Sequence, residues 1–245
     1  MGLGLIGGSL ARALTGKGVR VLGVDRPGVC RAARKARAIA ASTSLEAAAR
    51  EADVLVLAAS PRANLRLLIR LARIAPDSLV ITDVTSVKVP IVREAARLKL
   101  RRFVGGHPMA GRERSGFAAS TASLFRARPW ILTPAKDPLA ARTLRALIRR
   151  VGARPVELAA ANHDRLVALL SHVPQIVSWA LFQTAAADRV AKSHLDLAGP
   201  GFLDMTRLAR SPRGLWREIL TSNDAEVRRA LAVLRRALSR DSFWG

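Results

Sequence analysis

The sequence predicts an α/β fold in which a doubly wound parallel sheet over residues 1–157 precedes an all-helical domain over residues 158–245. Short apolar runs, typical of strands that are buried on both faces, alternate with helical segments as far as about residue 156. Beyond about Ala159 the sequence shows helical periodicity only. A third observation, a glycine-rich turn at the start of the chain, indicates which kind of doubly wound sheet to expect.

Composition limits the classes of protein to consider. Half of the 245 residues are apolar, which is enough to bury a core in one large or two modest domains. No uninterrupted apolar run approaches the roughly 20 residues that cross a bilayer, and the start of the chain lacks the basic region of a signal peptide. The single cysteine, Cys30, excludes an intrachain disulfide. We therefore expect a cytoplasmic protein without a membrane partner.

The formal net charge of +23 suggests a nucleic-acid partner, but its distribution argues against one. The basic residues are spread along most of the chain, nearly all of them are arginines, and only 4% of residues are aromatic and able to stack on bases. We therefore expect no specific nucleic-acid binding. A basic nucleic-acid-binding module remains as the non-enzymatic alternative, and binding that survives physiological salt would favour it.

The glycine-rich turn has the spacing G-x-G-x-x-G, formed by Gly2, Gly4 and Gly7, and a helical segment follows it. In a dinucleotide site these glycines make the tight turn, admit the pyrophosphate and allow close helix packing. A β-type run then ends in Asp25, at about the 20-residue distance where a carboxylate binds the ribose hydroxyls. These features predict a Rossmann-type site of Gly2, Gly4, Gly7 and Asp25. Asp25 favours NAD because it would repel a 2′-phosphate, although Arg26 partly offsets that repulsion.

One element of this fold has no corresponding sequence. The glycine turn normally follows a buried strand of about five residues, whereas Met1 directly precedes Gly2 in this chain. The first strand of the sheet is therefore apparently missing. We expect that the start of the chain is misassigned or truncated.

The next elements follow in order along the sheet domain. The pattern predicts helices over 31–38, 63–74, from about Pro90, and over 139–151, and strands over 52–59, 78–84, 102–107, 129–134 and 153–157. The strand 78–84 leads to Ser86, at the strand end where open α/β sheets bind ligands, although this hydroxyl could simply cap the next helix. The strand 102–107 ends in His107, whose glycine neighbours admit a ligand and whose imidazole suits proton transfer near neutral pH.

The second domain is expected to be helical throughout. The pattern predicts helices over 162–187 with a kink at Pro174, over 202–210, over 215–220 and over 224–238, with Asn223 as the N-cap of the last. A sheet domain followed by a helical domain, with a cleft between them, is a frequent layout of nicotinamide-dependent enzymes.

Six short motifs, taken in their order and spacing, resemble those of one enzyme family. They are GLGLIGGSL at 2–10, TDVTSVK at 82–88, GHPMAG at 106–111, HD at 163–164, SHVP at 171–174 and TRLA at 206–209. The chain resembles the prephenate and arogenate dehydrogenases of tyrosine biosynthesis from Gly2 to about Leu238. The resemblance implies NAD-dependent oxidative decarboxylation of prephenate to 4-hydroxyphenylpyruvate, or of arogenate to tyrosine. It also implies a homodimer built by the helical domain and a reaction that needs no metal ion.

The resemblance assigns roles to individual residues. His107 would accept or strongly hydrogen-bond the proton of the substrate hydroxyl, and Ser86 would orient that hydroxyl and the nicotinamide. Arg207 would bind a substrate carboxylate, for which its planar guanidinium suits better than a lysine. Glu113 would organise the mouth of the pocket.

The resemblance also places His172 and Gln175 near the substrate. Many prephenate-using members carry a second histidine at the position of Gln175, and an amide can hydrogen-bond there but cannot become charged. Prephenate carries a keto acid side chain and arogenate an amino acid side chain, so the preference between them stays open. Purely structural roles for His172 and Arg207 stay open as well.

Two other interpretations compete with this one. Another two-domain nicotinamide-dependent hydroxyacid dehydrogenase would share the fold, but that class usually relies on a lysine in the first long interdomain helix, and residues 159–187 contain none. An N-terminally truncated, inactive relative would keep the fold without forming its cofactor site.

Overall fold

The computed structural model describes residues 1–112 and 114–239 and divides the chain into two units. The first unit is Met1–His163, and the second begins at Asp164. In sequence this division lies six residues beyond the predicted boundary at residue 157, because the start of the first interdomain helix belongs to the sheet unit.

Helices and strands alternate through the first unit as the fold class requires. In chain order they are α1 (Leu5–Leu14), β1 (Leu22–Gly23), α2 (Pro27–Lys35), β2 (Ala41–Ser42), α3 (Leu45–Glu51), β3 (Val54–Leu57), α4 (Pro61–Ile74), β4 (Val80–Asp83), α5 (Val89–Arg97), β5 (Phe103–Val104), β6 (Gly106–Pro108), β7 (Pro129–Leu132), α6 (Pro138–Arg150), β8 (Arg154–Glu157) and α7 (Ala160–Val167). Helix α7 contains the division between the units.

The strands pair mainly in parallel. β1 pairs with β2, β3 with β4, β4 with β5, and β7 with β8, all in parallel. In the central group Ile81 lies opposite both Leu55 and Phe103. Buried leucine, isoleucine and valine side chains cover this group, as expected for strands enclosed by helices on both faces. This pattern confirms the prediction of a doubly wound parallel fold.

The predicted single strand over 102–107 is wrong in one respect that matters for the site. The segment forms β5 and then β6, and β6 turns away to pair antiparallel with β7. The two strands separate at Gly105, whose N–H donates to Thr133 Oγ1 at 3.0 Å and whose carbonyl accepts from Thr133 N at 2.8 Å. A Cβ at Gly105 would lie 3.0 Å from Val92 Cγ2, so the glycine permits this close packing.

A slot separates β1 from β3. Met1 is hydrogen-bonded toward β3, through its amino group to Val56 O and through its carbonyl to Ala58 N, while Gly2 N donates to Val24 O. A cavity of about 740 Å³ continues between the two strands.

The sequence interpretation missed β2 and α3 and placed the start of α2 too late. Pro27 occupies the first turn of α2, a position that its fixed φ favours. Helix α3 is capped by Ser44, whose Oγ accepts from Ala47 N at 3.1 Å, with Glu46 in the first turn. Both helix starts therefore carried a local signal.

The second unit is helical over the residues that the structure describes. Its elements after α7 are α8 (Val173–Ala187), α9 (Arg189–Ser193), α10 (Pro200–Thr206), α11 (Arg213–Ser222) and α12 (Asp224–Leu238). The kink predicted at Pro174 is a π-helical turn over Ala168–His172 that joins α7 to α8. Proline cannot donate the backbone hydrogen bond of a continuous helix, and the wider turn just before it accommodates that loss.

The predicted N-cap at Asn223 is only half right. Asn223 precedes α12, but its side chain makes no capping hydrogen bond. Instead, Asn223 Nδ2 donates to Asp164 O at 2.8 Å, because the side chain is buried among the helices of this unit. A polar side chain that is out of solvent satisfies whichever partner the packing offers.

The helical stretch Ala160–Ala187 is long and apolar enough to cross a membrane by length and composition alone. It contains 28 residues, with a mean hydropathy of 1.4 over its most apolar window. Packed helices of helical domains satisfy the same criterion, and this stretch carries the buried polar residues His172 and Gln175. The absence of a membrane partner therefore stays a prediction.

Candidate active site

The three glycines of the first turn differ in what surrounds them. Gly2 has φ +87°, and a Cβ there would lie 2.6 Å from Ala58 O. A Cβ at Gly7 would lie 1.9 Å from Gly2 O, whereas one at Gly4 would meet nothing within 4 Å. The first and third glycines are therefore required by the turn itself. The second leaves open space in front of α1, where the prediction places the pyrophosphate.

The start of α1 is suited to an anion. Gly4 is the N-cap of α1 and provides no side-chain cap for the first-turn amides. These N–H groups and the positive end of the helix dipole attract phosphate. The open space at Gly4 and the uncapped helix end together fit the phosphates of a dinucleotide.

Asp25 lies beside the glycine turn, just after β1. Its Oδ2 accepts a hydrogen bond from Leu3 N at 2.6 Å, and its Oδ1 accepts one from Arg26 N at 2.7 Å. The side chain stays 19% exposed. The structure therefore brings Asp25 and the glycine turn together, and the carboxylate is oriented with lone pairs left to accept from ribose hydroxyls.

The open space at Gly4 leads to the first testable prediction. Gly4→Val is expected to leave the melting temperature within a few degrees of the parent value, because a Cβ at this position meets nothing within 4 Å. Dinucleotide affinity, measured by calorimetry, is expected to fall by about tenfold or more, because the side chain occupies the phosphate approach. Gly199→Val is the control, since Gly199 is likewise an N-cap with negative φ and open space around it, but precedes α10 in the helical unit. Unchanged affinity in Gly4→Val would contradict the placement of the phosphates.

His107 is positioned by β6 and held by a second histidine. It lies opposite Ile131 of β7 and is half-buried. Its Nδ1 lies 2.8 Å from Nε2 of His163, and the two rings are nearly edge-to-face, with centroids 5.1 Å apart. His163 is fully buried near the start of α7. The HD motif at 163–164 assigns no role to His163, and only the packing of α7 against β6 reveals its partner.

Ser86 lies in the turn between β4 and α5 and is half-buried. The N-cap position of α5 is Lys88, so Ser86 lies two residues before it. The alternative in which Ser86 caps the helix does not match this geometry. The side chain stands in a loop at the carboxyl end of a parallel strand, where ligands bind in open α/β sheets.

The helical unit carries three of the candidate residues. Arg207 is exposed at the start of a 3₁₀ turn that ends at Arg210. Gln175 is fully buried, and its Nε2 donates to Leu208 O in that turn at 2.7 Å. Its Oε1 has no hydrogen-bond partner among the described residues. The structure thus brings Gln175 and the turn that carries Arg207 together.

His172 is fully enclosed by its own unit. It is 1% exposed, its Nδ1 lies 3.2 Å from Asn223 Nδ2, and its ring stands edge-on to Trp216 with centroids 6.0 Å apart. These contacts suit a histidine that orients its neighbours. The remaining candidate, Glu113, lies outside the described residues.

The comparisons with known proteins agree with one another. The family model for the prephenate dehydrogenase nucleotide-binding domain matches residues 10–157, and that for the prephenate dehydrogenase dimerization domain matches residues 159–241. A curated prephenate dehydrogenase of Bacillus subtilis (strain 168) is 36% identical to this chain, and the match covers 92% of this chain and 64% of that relative. The chain therefore spans slightly less than two thirds of that relative's length.

Solved structures show the same likeness in three dimensions. The crystal structure of Synechocystis arogenate dehydrogenase is 32% identical with a TM-score of 0.83, and the match covers 97% of this chain and 87% of that one. Prephenate dehydrogenase from A. aeolicus, in complex with hydroxyphenyl propionate and NAD+, is 30% identical with a TM-score of 0.89. That match covers 97% of this chain and 86% of the other.

Proposed function

Because the chain belongs to the prephenate dehydrogenase family, we propose that it catalyses the NAD-dependent oxidative decarboxylation of prephenate or arogenate. The observation that carries the proposal is His107, which is held by the buried His163 in the same unit as a dinucleotide-type glycine turn. Both matched family models belong to this one family, which favours the proposal over another two-domain hydroxyacid dehydrogenase.

The reaction requires little covalent chemistry from the protein. The substrate is a cyclohexadienol with a ring carboxylate. A hydride leaves the carbinol carbon and the carboxylate leaves as carbon dioxide, while the hydroxyl proton moves to a base and returns to the phenolate oxygen that decarboxylation forms, so no net proton is released. NAD, when bound, supplies the hydride acceptor. Aromatisation of the ring supplies the driving force, so the protein has to position the substrate, accept one proton and return it.

We assign the role of base to Nε2 of His107, because Nδ1 is the atom that contacts His163. If Nε2 of His107 is to act as the base, it must be unprotonated, so Nδ1 must carry the hydrogen. Nδ1 then donates to Nε2 of His163 across the 2.8 Å contact. His163 fixes the tautomer in this way, and it remains an acceptor when His107 becomes an imidazolium.

The other site residues are proposed to bind the substrate. Ser86 orients the hydroxyl and the nicotinamide, and Arg207 forms a bidentate contact with a carboxylate. Gln175, His172 and Glu113 are also proposed to contribute to substrate binding. The unpartnered Oε1 of Gln175 offers a hydrogen-bond acceptor, which suits the ammonium group of arogenate as well as a bound water beside prephenate.

The assembly and location belong to the same proposal. We propose a homodimer formed by the helical unit, supported by the match of residues 159–241 to a dimerization domain and by exposed leucines such as Leu170 and Leu197. We propose a cytoplasmic location, supported by a single cysteine that is free and buried.

Formation of NADH by the purified protein, with prephenate and with arogenate in separate reactions, tests the proposal. The expected result is turnover with at least one of them. The substrate with the higher kcat/KM shows which of the two a site that carries Gln175 prefers. Absence of turnover with both, in protein that still binds NAD by calorimetry, would favour an inactive relative.

The second prediction concerns the choice of cofactor. The parent protein is expected to use NAD in preference to NADP, and Asp25→Ala is expected to lower kcat/KM for NAD by roughly 10- to 100-fold, the value of hydrogen bonds to a charged group. Asp77→Ala, at an exposed position, is the control. A parent preference for NADP would contradict the role of Asp25.

A further inference from the structure

A lysine and an aspartate that the proposed chemistry does not use are fully buried beside the site. Lys88 and Asp83 are both 0% exposed, and Lys88 Nζ contacts the Oδ2 atom of Asp83 directly. Lys88 Nζ also donates to Thr85 Oγ1 at 3.0 Å. A buried ion pair is weak evidence of added stability, because desolvation of the two charges offsets their attraction. Its partners suggest a different role.

The pair holds both backbone polar groups of the residue before His107. Gly106 N donates to Asp83 Oδ1 at 3.0 Å, and Gly106 O accepts from Lys88 Nζ at 2.6 Å. The β4–β5 ladder ends at Thr82 and Val104, so these side chains replace strand pairing at the point where β6 begins. Gly106 approaches closely enough that a Cβ there would lie 2.6 Å from Asp83 O. The position of His107 is therefore tied to the pair.

The same pair closes the loop that carries Ser86. Asp83 ends β4 and Lys88 occupies the N-cap position of α5, so their contact joins the two ends of the loop. Thr85 braces it from inside, since Thr85 N donates to Asp83 Oδ2 at 2.8 Å and Thr85 Oγ1 lies 3.1 Å from Val87 O. Ser86 is the half-buried residue within this braced loop.

We propose that Asp83 and Lys88 are positioning residues that fix Ser86 and His107 relative to one another. The inference rests on the proposed function and explains what holds its two catalytic residues, Ser86 and His107, in place. Catalytic groups must be held within about 0.5 Å of their working positions by residues that are themselves locked in place. The pair meets this requirement because one buried contact orders two separate segments of the chain.

The test is the double variant Asp83→Asn/Lys88→Met, which removes both charges together. Asparagine leaves only an uncharged, weaker acceptor for Gly106 N, and methionine fills the space of the lysine stem, so no buried charge is left unpaired. The expected result is a folded protein with unchanged NAD affinity, a similar KM for substrate, and kcat lower by roughly 10- to 100-fold, as misplacement of reacting groups by about 1 Å produces. Glu94→Gln/Arg97→Met removes an ion pair on the surface of α5 and is the matched control.

A second readout does not depend on turnover. In the double variant, hydrogen exchange of the Gly106 amide is expected to become faster, and the ¹⁵N shifts of the His107 ring are expected to move, while α6 stays protected. A kcat within twofold of the parent value, or unchanged exchange at Gly106, would overturn the proposal. Loss of NAD affinity, together with faster hydrogen exchange throughout the first unit, would overturn the proposal and assign the pair a general structural role. If the parent protein turned over neither substrate, the proposed function would fail, and the exchange and shift measurements would still decide whether the pair positions Gly106 and His107.

Discussion

His107→Asn is expected to lower kcat by roughly 10²–10⁴, the usual contribution of a positioned general base. Asparagine places an amide near the position of Nδ1, so it can keep the contact that His107 makes with His163 at 2.8 Å. It has no group at the position of Nε2 that could accept the hydroxyl proton. Folding and dinucleotide affinity are therefore expected to survive while the chemical step slows.

The matched control for this substitution is His194→Asn. His194 is exposed in the helical unit, and its Nδ1 lies 2.9 Å from Val190 O. Steady-state turnover of both variants, together with thermal melting and calorimetric binding of NAD, separates a chemical defect from a folding defect. Normal turnover by His107→Asn would show that another group accepts the proton.

Arg207→Ala is expected to raise the KM for the substrate by roughly 10- to 150-fold, because hydrogen bonds to a charged group contribute about 1.5–3 kcal/mol. The KM for NAD is expected to stay within twofold. Arg207→Lys is expected to recover only part of the loss, since an ammonium keeps the charge but cannot make a bidentate contact with a carboxylate.

Arg210→Ala serves as the control because Arg210 ends the same 3₁₀ turn and is also exposed. The chain contains 41 basic residues, so removal of any one positive charge weakens the binding of an anionic ligand in general. The Arg210→Ala control measures that general effect. If Arg207→Ala and Arg210→Ala changed the KM for the substrate equally, the proposal that Arg207 binds the substrate carboxylate would be contradicted.

The parts of the fold that were predictable depend on local patterns. The glycine spacing and the β-type run ending at Asp25 are encoded within about 25 consecutive residues, and the structure brings these residues together through the contact from Leu3 N to Asp25 Oδ2. The apolar runs that became β3 and β4 are typical of strands enclosed on both faces, and the structure confirms them.

The parts that were missed depend on tertiary contacts. His163 contacts a residue 56 positions away, and nothing in the sequence around either histidine specifies that pairing. The break between β5 and β6 arises from Gly105 packing on Thr133, and the hold on Gly106 arises from Asp83 and Lys88. Long-range contacts of this kind leave no periodicity in the chain, so the sequence pattern predicts one strand where the structure has two.

The measurement that tests the central claim most directly is the stoichiometry of the reaction. Purified protein would be given NAD and prephenate, and in parallel arogenate, each labelled with ¹³C at the ring carboxylate, while NADH and ¹³CO₂ are measured together. The proposed function predicts one ¹³CO₂ for each NADH with at least one substrate. In His107→Asn both products are expected to form only at the low residual rate of that variant. NADH without ¹³CO₂ would identify a hydroxyacid dehydrogenase that does not decarboxylate, and would contradict the account.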